Sequence, residues 1–213
     1  MGGTPYPDPG PQDLSNDGGK IHRLHADGTV PADNPVFEDA TAPSSIWSYG
    51  HRDPQGMYFD AKEGVLYETE HGPLGGDELN VVTKGGNFGW PLFSYGLNYD
   101  GTPVSDLTEE EAGQTSILPL RGWDSSFNMA PSGLELIAGN LFPELAGSFV
   151  FGSLAQQRLI AYSAESGETT ILLDQVGRVR DVVELPSGAL LILIDTGSPT
   201  PSDSGRIVKL TPR

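Results

Sequence analysis

The sequence predicts an all-β fold built from short strands, and three observations carry that expectation. Among 213 residues there are 28 glycines and 18 prolines, roughly a fifth of the chain. That density of punctuation breaks long helices and favours strands joined by turns. Helical periodicity is nearly absent. Short runs of strand character recur instead, bounded by Gly, Pro, Asp or Ser.

Taken in chain order, strands are expected over 20–25, 46–49, 56–60, 65–70, 78–83, 134–138, 148–153, 158–163, 169–174, 180–184, 190–195 and 206–211. The apolar run 188–194 is far shorter than a membrane span. Residues 105–114 carry Glu109, Glu110 and Glu111 without an apolar face, which predicts a loop or one short helix inside an insertion.

Weak internal repeats organise these strands. Gly19-Lys20-Ile21-His22-Arg23-Leu24 reads like Gly205-Arg206-Ile207-Val208-Lys209-Leu210, with a looser copy from Gln157 to Tyr162. Pro54-Gln55-Gly56-Met57 recurs as Pro131-Ser132-Gly133-Leu134, about 77 residues later. Setting aside the insertion at 88–116 leaves roughly 48 residues, within the ~40–50 of a four-stranded propeller blade. An irregular β-sandwich is the competing architecture. At about four to eight blades per closed ring, the chain supplies about three blades and part of a fourth. It is therefore expected to be the C-terminal half of a larger ring. The expected blades are 46–116 with its insertion, 117–175 and 176–213.

Composition narrows the function. Twelve Lys and Arg against 29 Asp and Glu give a formal charge of −17, a field that disfavours nucleic acid and anionic membrane surfaces. With 37% hydrophobic and 19% charged residues, a buried core is feasible. There is no cysteine, which excludes disulfides, Cys-based zinc sites, iron–sulfur clusters and thiol nucleophiles. No signal peptide is visible after Met1, so the chain is expected either to be cytosolic or to start downstream of its natural beginning.

Three patches carry chemistry. The first, 47–56, places Arg52 beside Asp53 just after a short strand. The guanidinium fork suits a planar, oxygen-rich ligand; the alternative is an Arg–Asp pair that pins the loop. His51 is either a base or a hydrogen-bonded structural group. The second patch, 70–80 continuing to 86–91, combines Gly72-Pro73, Gly75-Gly76 and Asp77-Glu78. Backbone carbonyls and carboxylates without thiols suit Ca²⁺; the alternative is an ordinary acidic turn. In the third, 177–181, Arg178 and Arg180 alternate along a strand and project together, so an anion or an acidic neighbour belongs between them. The alternative is surface pairing with Asp174 or Asp181.

Together, Gly50-His51-Arg52-Asp53-Pro54-Gln55-Gly56, Glu70-His71-Gly72-Pro73, Gly75-Gly76-Asp77-Glu78-Leu79-Asn80, Asn87-Phe88-Gly89-Trp90-Pro91 and Arg178-Val179-Arg180-Asp181-Val182 resemble the soluble quinoprotein glucose/sorbosone dehydrogenases. The branch they resemble is that of the aldose sugar dehydrogenases dependent on pyrroloquinoline quinone (PQQ). The similarity runs from about Gln12 to the C-terminus. It implies a six-bladed β-propeller and oxidation of the anomeric hydroxyl of an aldose to a lactone, with hydride passing to the quinone. It implies Arg52 as the residue polarising the quinone carbonyl. Asp53 and His71 are implied as further cofactor contacts, and Arg178 and Arg180 as the pair on its carboxylates. Gly72 and Pro73 are implied as carbonyl ligands of the cofactor-bound Ca²⁺, and Glu78 and the Phe88 carbonyl as a second Ca²⁺ site.

The resemblance also carries departures. The family's general-base His lies upstream of the segment matched by Gln12-Asp13-Leu14, so it is expected outside this chain; His22 and His25 are poor substitutes. Ala155 stands where a cofactor-binding Lys is expected, and Asp53 where many members have Asn. The intact protein is expected to be periplasmic or secreted, working on an aldose with an external electron acceptor. Arg52 and Arg178 are expected to line one pocket, and a homodimer completing the ring is expected from the exposed faces of a half-propeller. The competing reading is a non-catalytic, calcium-stabilised propeller that binds a carbohydrate or a protein. A propeller lactonase is disfavoured, since no cluster of Asn, Asp and Glu from several blades is evident.

Overall fold

Among the described residues the strand-rich punctuation is realised as thirteen short strands, three single-turn 3-10 segments and one four-residue helix. This is a computed structural model, and it describes residues 10–38, 40–195 and 205–212. The chain divides into two compact units, Met1–Pro54 with His71–Ser126 and Gln55–Glu70 with Phe127–Arg213.

In the first unit, β1 (Lys20–His22) pairs antiparallel with β2 (Ile46–Tyr49), Ile21 opposite Ser48. β1 stops three residues earlier than expected, because the His25 N–H turns back to the Thr29 carbonyl (2.9 Å) instead of extending the strand. β5 (Glu78–Val82) pairs with β6 (Arg121–Gly122), a two-residue strand too short to leave a pattern in the sequence. Between β5 and β6 runs the insertion, with α1 (Glu109–Ala112) inside it. One turn of helix forms there without an apolar stripe because it is capped. The Glu111 N–H donates to Thr108 Oγ1 (3.2 Å) and the Thr108 N–H to Glu111 Oε2 (2.8 Å). Acidic residues in the first turn also suit the positive end of the helix dipole.

In the second unit, β3 (Pro54–Asp60) and β4 (Val65–Glu70) are neighbours. β7 (Pro131–Leu136), β8 (Ser148–Ser153), β9 (Arg158–Ser163) and β10 (Thr169–Leu173) form a four-stranded antiparallel sheet in chain order. β11 (Arg178–Glu184), β12 (Leu190–Asp195) and β13 (Arg206–Leu210) form a three-stranded one. Val150, Leu159, Val179, Val182, Leu190, Ile192 and Ile194 share one core between these two sheets. β8 is buried along its whole length, as a strand covered on both faces should be. In β12 the alternation survives inside an apolar run: Leu190, Ile192 and Ile194 point inward while Leu193 is exposed.

The Pro-x-Gly repeat has a packing cause. A Cβ on Gly56 would lie 2.6 Å from the Ser132 carbonyl and 2.9 Å from the Leu134 N. A Cβ on Gly133 would lie 2.7 Å from the Asp181 Cα. The glycine of each repeat lets its strand approach the backbone of the first strand of the next sheet, β3 onto β7 and β7 onto β11. The looser repeat falls on β1, β9 and β13, of which β9 is a core strand and β13 a largely exposed one.

Candidate active site

Arg52 lies in the loop after β2, beyond Gly50 and His51, and is almost wholly buried, 8% exposed. Nη1 donates to the His71 carbonyl (3.0 Å) and Nη2 to the Tyr99 hydroxyl (3.4 Å). The guanidinium lies over the Trp90 ring, 5.3 Å from its centroid. A planar cation on an aromatic face with directed donors is fixed in orientation, which an ammonium in its place would not be.

Asp53 and His71 meet twice. The His71 N–H donates to the Asp53 carbonyl (3.1 Å), and His71 Nδ1 lies 3.4 Å from Asp53 Oδ2. The imidazole is thus a group beside this carboxylate. His51 resolves to its structural alternative: it is fully buried, shares a 2.8 Å hydrogen bond with Ser48 and stacks on Phe88 at 4.5 Å. Beneath Arg52, the Trp90 segment is tied to the start of the chain. Gln12 Nε2 donates to Asn87 Oδ1 (2.9 Å) and to the Trp90 carbonyl (2.8 Å), and Asn87 Nδ2 donates back to Gln12 Oε1 (2.9 Å).

After His71 the chain bends at Gly72-Pro73. The buried Asp77 carboxylate accepts from the Gly72 N–H (3.1 Å), while the Gly76 N–H donates to the Trp123 carbonyl (2.7 Å). Among the described residues neither the Gly72 nor the Pro73 carbonyl accepts a backbone hydrogen bond. Two carbonyl oxygens in a pinned turn are the hard donors a Ca²⁺ ion takes. Glu78 is 9% exposed on β5 and accepts from Asn80 Nδ2 (3.2 Å). The Phe88 N–H donates to the Tyr49 carbonyl (2.8 Å), which fixes the peptide before its own carbonyl. In the insertion, burial first and then the hydrogen bond to Glu109 push the Tyr95 hydroxyl far above its usual range.

In the second unit, Arg178 and Arg180 open β11. The acidic neighbour expected between them is Asp195. It stands opposite Arg178 in the strand register, and its Oδ2 accepts from Arg180 Nε (3.1 Å) and Nη2 (2.8 Å). The alternation assumed for the two arginines is interrupted by a register shift between Val179 and Asp181. The partners weighed in the sequence are engaged elsewhere: Asp174 accepts from Arg158 (2.7 Å), and Asp181 Oδ1 from the Val182 N–H (2.9 Å). The Arg158 guanidinium holds the Asp174 carboxyl below its usual range. Ala155 sits in the turn after β8, its N–H donating to the Met129 carbonyl (3.0 Å).

Sequence reasoning did not find Tyr99, Trp90 as the guanidinium's platform, or Asp195. Asp195 was reachable, since pairing the 180–184 and 190–195 strands as a hairpin and extending it sets Asp195 against Arg178.

Comparison with known proteins assigns the family. The family model described as Glucose / Sorbosone dehydrogenase matches residues 3–208. The aldose sugar dehydrogenase YliI of Escherichia coli K12 is 37% identical over 209 residues, 96% of this chain and 54% of that protein. The crystal structure of the soluble aldose sugar dehydrogenase of Escherichia coli in its apo form superposes with a TM-score of 0.77 at 33% identity, covering 95% of this chain and 57% of that one. The PQQ-bound aldose sugar dehydrogenase of Streptomyces coelicolor superposes at 0.70 with 26% identity, covering 94% and 54%. The chain belongs to the glucose/sorbosone dehydrogenase family. It spans about half the length of these relatives. The all-β, half-propeller expectation is borne out by its antiparallel sheets and by these likenesses. Among the described residues no helix is long and apolar enough to cross a membrane.

Proposed function

We propose that this chain is the cofactor-holding half of a PQQ-dependent dehydrogenase that oxidises the anomeric hydroxyl of aldoses to lactones. The observation that carries the reading is the Arg52 guanidinium, buried, laid on Trp90 and held by the His71 carbonyl within the family's motif. When bound, PQQ with its Ca²⁺ supplies the hydride acceptor. Arg52 would present a fixed positive charge to the quinone of the bound cofactor, the electrostatic stabilisation a preorganised group supplies. Its bond to His71 holds that charge in place, and Asp53 and His71 orient the neighbouring edge. Arg178 and Arg180 bind cofactor carboxylates, Arg180 exchanging its bond to Asp195 for one to the ligand. Gly72 and Pro73 present carbonyls to the cofactor's Ca²⁺, and Glu78 with the Phe88 carbonyl serves a second, structural Ca²⁺. No residue of this chain is assigned the general-base role.

The same reading takes β7–β10 as one blade and β11–β13 as the last. It places the whole protein in the periplasm or outside the cell, passing electrons to an external acceptor. A homodimer belongs to it as well, supported by the outward apolar side chains Val183, Leu193 and Ile207. Titrating the protein with PQQ in the presence of Ca²⁺, with Arg52→Ala as control, tests the reading. Micromolar binding that the substitution abolishes upholds it, and equal binding by both proteins overturns it. Dye reduction with glucose then reports whether this chain turns over; robust turnover would overturn the placement of the base outside it.

One observation favours the second reading, a calcium-stabilised module that binds a carbohydrate or protein without redox chemistry. Ala155 offers no cation, and Arg180 is already engaged by Asp195. Failure of PQQ to bind, with Ca²⁺ still raising the melting temperature, would favour it.

A further inference from the structure

The second unit gathers arginines at one end. β9, β11 and β13 open with Arg158, Arg178 and Arg206, and Arg180 follows in β11. Strand register brings these openings together. Arg158 stands opposite Ser153 and Ser153 opposite Pro131, while the neighbouring Ser132 hydroxyl donates to the Val179 carbonyl (2.6 Å), between Arg178 and Arg180. Arg206 stands opposite Ile194, next to the Asp195 that faces Arg178. The chain as a whole carries a formal charge of −17. Cations concentrated at one end of so acidic a chain draw anions to that end.

Arg158 is the first of these to stand beside a cavity. With Ala155, Gln156, Gln157 and Gln175 it lines a recess of about 290 Å³. Its guanidinium is fixed on two sides, Nε donating to Asp174 Oδ1 (2.7 Å) and Nη1 to Gln156 Oε1 (2.9 Å). Among the described residues no group accepts from Nη2, and the side chain is 26% accessible. The turn that carries it is pinned from below. Ser153, fully buried, accepts from the Gln156 N–H (3.0 Å) and donates to the Met129 carbonyl (2.6 Å), to which the Ala155 N–H also donates (3.0 Å). The facing segment is tied in as well, by the Val176 N–H on the Gln157 carbonyl (3.0 Å) and by Arg206 Nη2 on the Val176 carbonyl (2.8 Å). Gln157 and Gln175 hold left-handed backbone, φ 58° and 52°, without being glycine. Conformations of that kind cost energy and gather where a chain is shaped around a ligand.

We propose that Arg158 binds a carboxylate of the cofactor at this recess, supplying the cation that Ala155 does not. The inference rests on the quinone reading above and adds a residue to it. A guanidinium held at Nε and Nη1 presents Nη2 already oriented, and charge-assisted bonds to carboxylates are the strong ones. The methyl group at 155 leaves the recess open, and the cation reaches it from the start of β9. Asp174 stands to Arg158 as Asp195 stands to Arg180: an acidic partner that holds the arginine from one side.

Calorimetric titration of the full chain with PQQ in the presence of Ca²⁺ tests this, for the wild type, Arg158→Gln, Arg158→Gln with Ala155→Lys, and Asp174→Asn, at low and high salt. Arg158→Gln should bind about tenfold more weakly, the loss expected for one charge-assisted hydrogen bond, and with a smaller salt dependence. Adding Ala155→Lys should restore most of the affinity, because it returns a cation to the same recess. Asp174→Asn should bind at least as tightly as the wild type. Equal binding by the wild type and Arg158→Gln overturns the proposal and leaves the quinone reading standing. Equal weakening in Asp174→Asn, or no recovery with Ala155→Lys, also overturns it, since Arg158 then only staples the segment before β11. No binding by the wild type overturns the quinone reading and this subsite together. Should Arg158→Gln fail to fold, Ala155→Lys alone decides: tighter binding upholds a carboxylate at the recess, and unchanged or weaker binding overturns it.

Discussion

Arg52 donates to the His71 carbonyl at 3.0 Å, across a sequence separation of 19 residues. The bond ties the loop after β2 to the bend at Gly72-Pro73. A change in the guanidinium therefore acts at once on the buried cation and on the Gly72-Pro73 turn. Arg52→Lys keeps the charge but loses the fork and most of the contact with Trp90. We expect PQQ binding at least roughly tenfold weaker, about 1.4 kcal/mol at that ratio. The melting temperature should change little by comparison. Fluorescence quenching titrations with Ca²⁺ present measure the first, and calorimetry the second.

Asp195→Asn asks whether Asp195 competes for Arg180. The pair is partly exposed, with side chains 40% and 27% accessible, so its contribution to stability is discounted to below about 1 kcal/mol. The substitution should leave the fold intact and strengthen binding of the tricarboxylic cofactor several-fold, since Arg180 no longer exchanges one carboxylate for another. Weaker binding in Asp195→Asn would mean that Asp195 holds the arginine in position instead.

Gly133→Ala probes the repeat. The new methyl group meets the Asp181 backbone, which cannot swing away as a long side chain would. Overpacking of this kind costs about 1–3 kcal/mol, a drop of several degrees in a chain of this size. Gly56→Ala should behave alike, because its Cβ meets the Ser132 and Leu134 backbone. Unchanged melting for both would remove the packing explanation of the Pro-x-Gly motif.

Gln12→Ala removes both halves of the reciprocal amide pair with Asn87 and the bond to the Trp90 carbonyl. The loss of partly buried hydrogen bonds should cost about 1–2 kcal/mol in chemical denaturation. Because Trp90 carries Arg52, cofactor binding should weaken as well, though less than in Arg52→Lys. Asn87→Asp, which cannot donate to Gln12 Oε1, should reproduce part of both effects.

Most of the fold was legible in the sequence because strand formation here depends on short-range pattern. The strands at 46–49, 65–70, 148–153, 158–163 and 190–195 coincide with β2, β4, β8, β9 and β12, each a run of strand-forming side chains closed by turn residues. β6 escaped because two residues carry no period, and the capped turn α1 showed no apolar face. Within the candidate site, the residues contiguous in sequence were found together: Arg52 with Asp53, and His71 with Gly72 and Pro73.

By itself the sequence determined the class of fold, the family motifs and the identity of the charged groups, since all three are written in neighbouring residues. Tertiary structure alone decided which of those groups meet. Tyr99 reaches Arg52 over 47 residues, and Asp195 reaches Arg180 over 15. His51 is sealed beneath Phe88, and Glu184 crosses 46 residues to the backbone of Ala138. Such pairings follow from strand register, loop path and the close approach of sheets at glycine, which are set by the packing of the folded chain and leave no local signature.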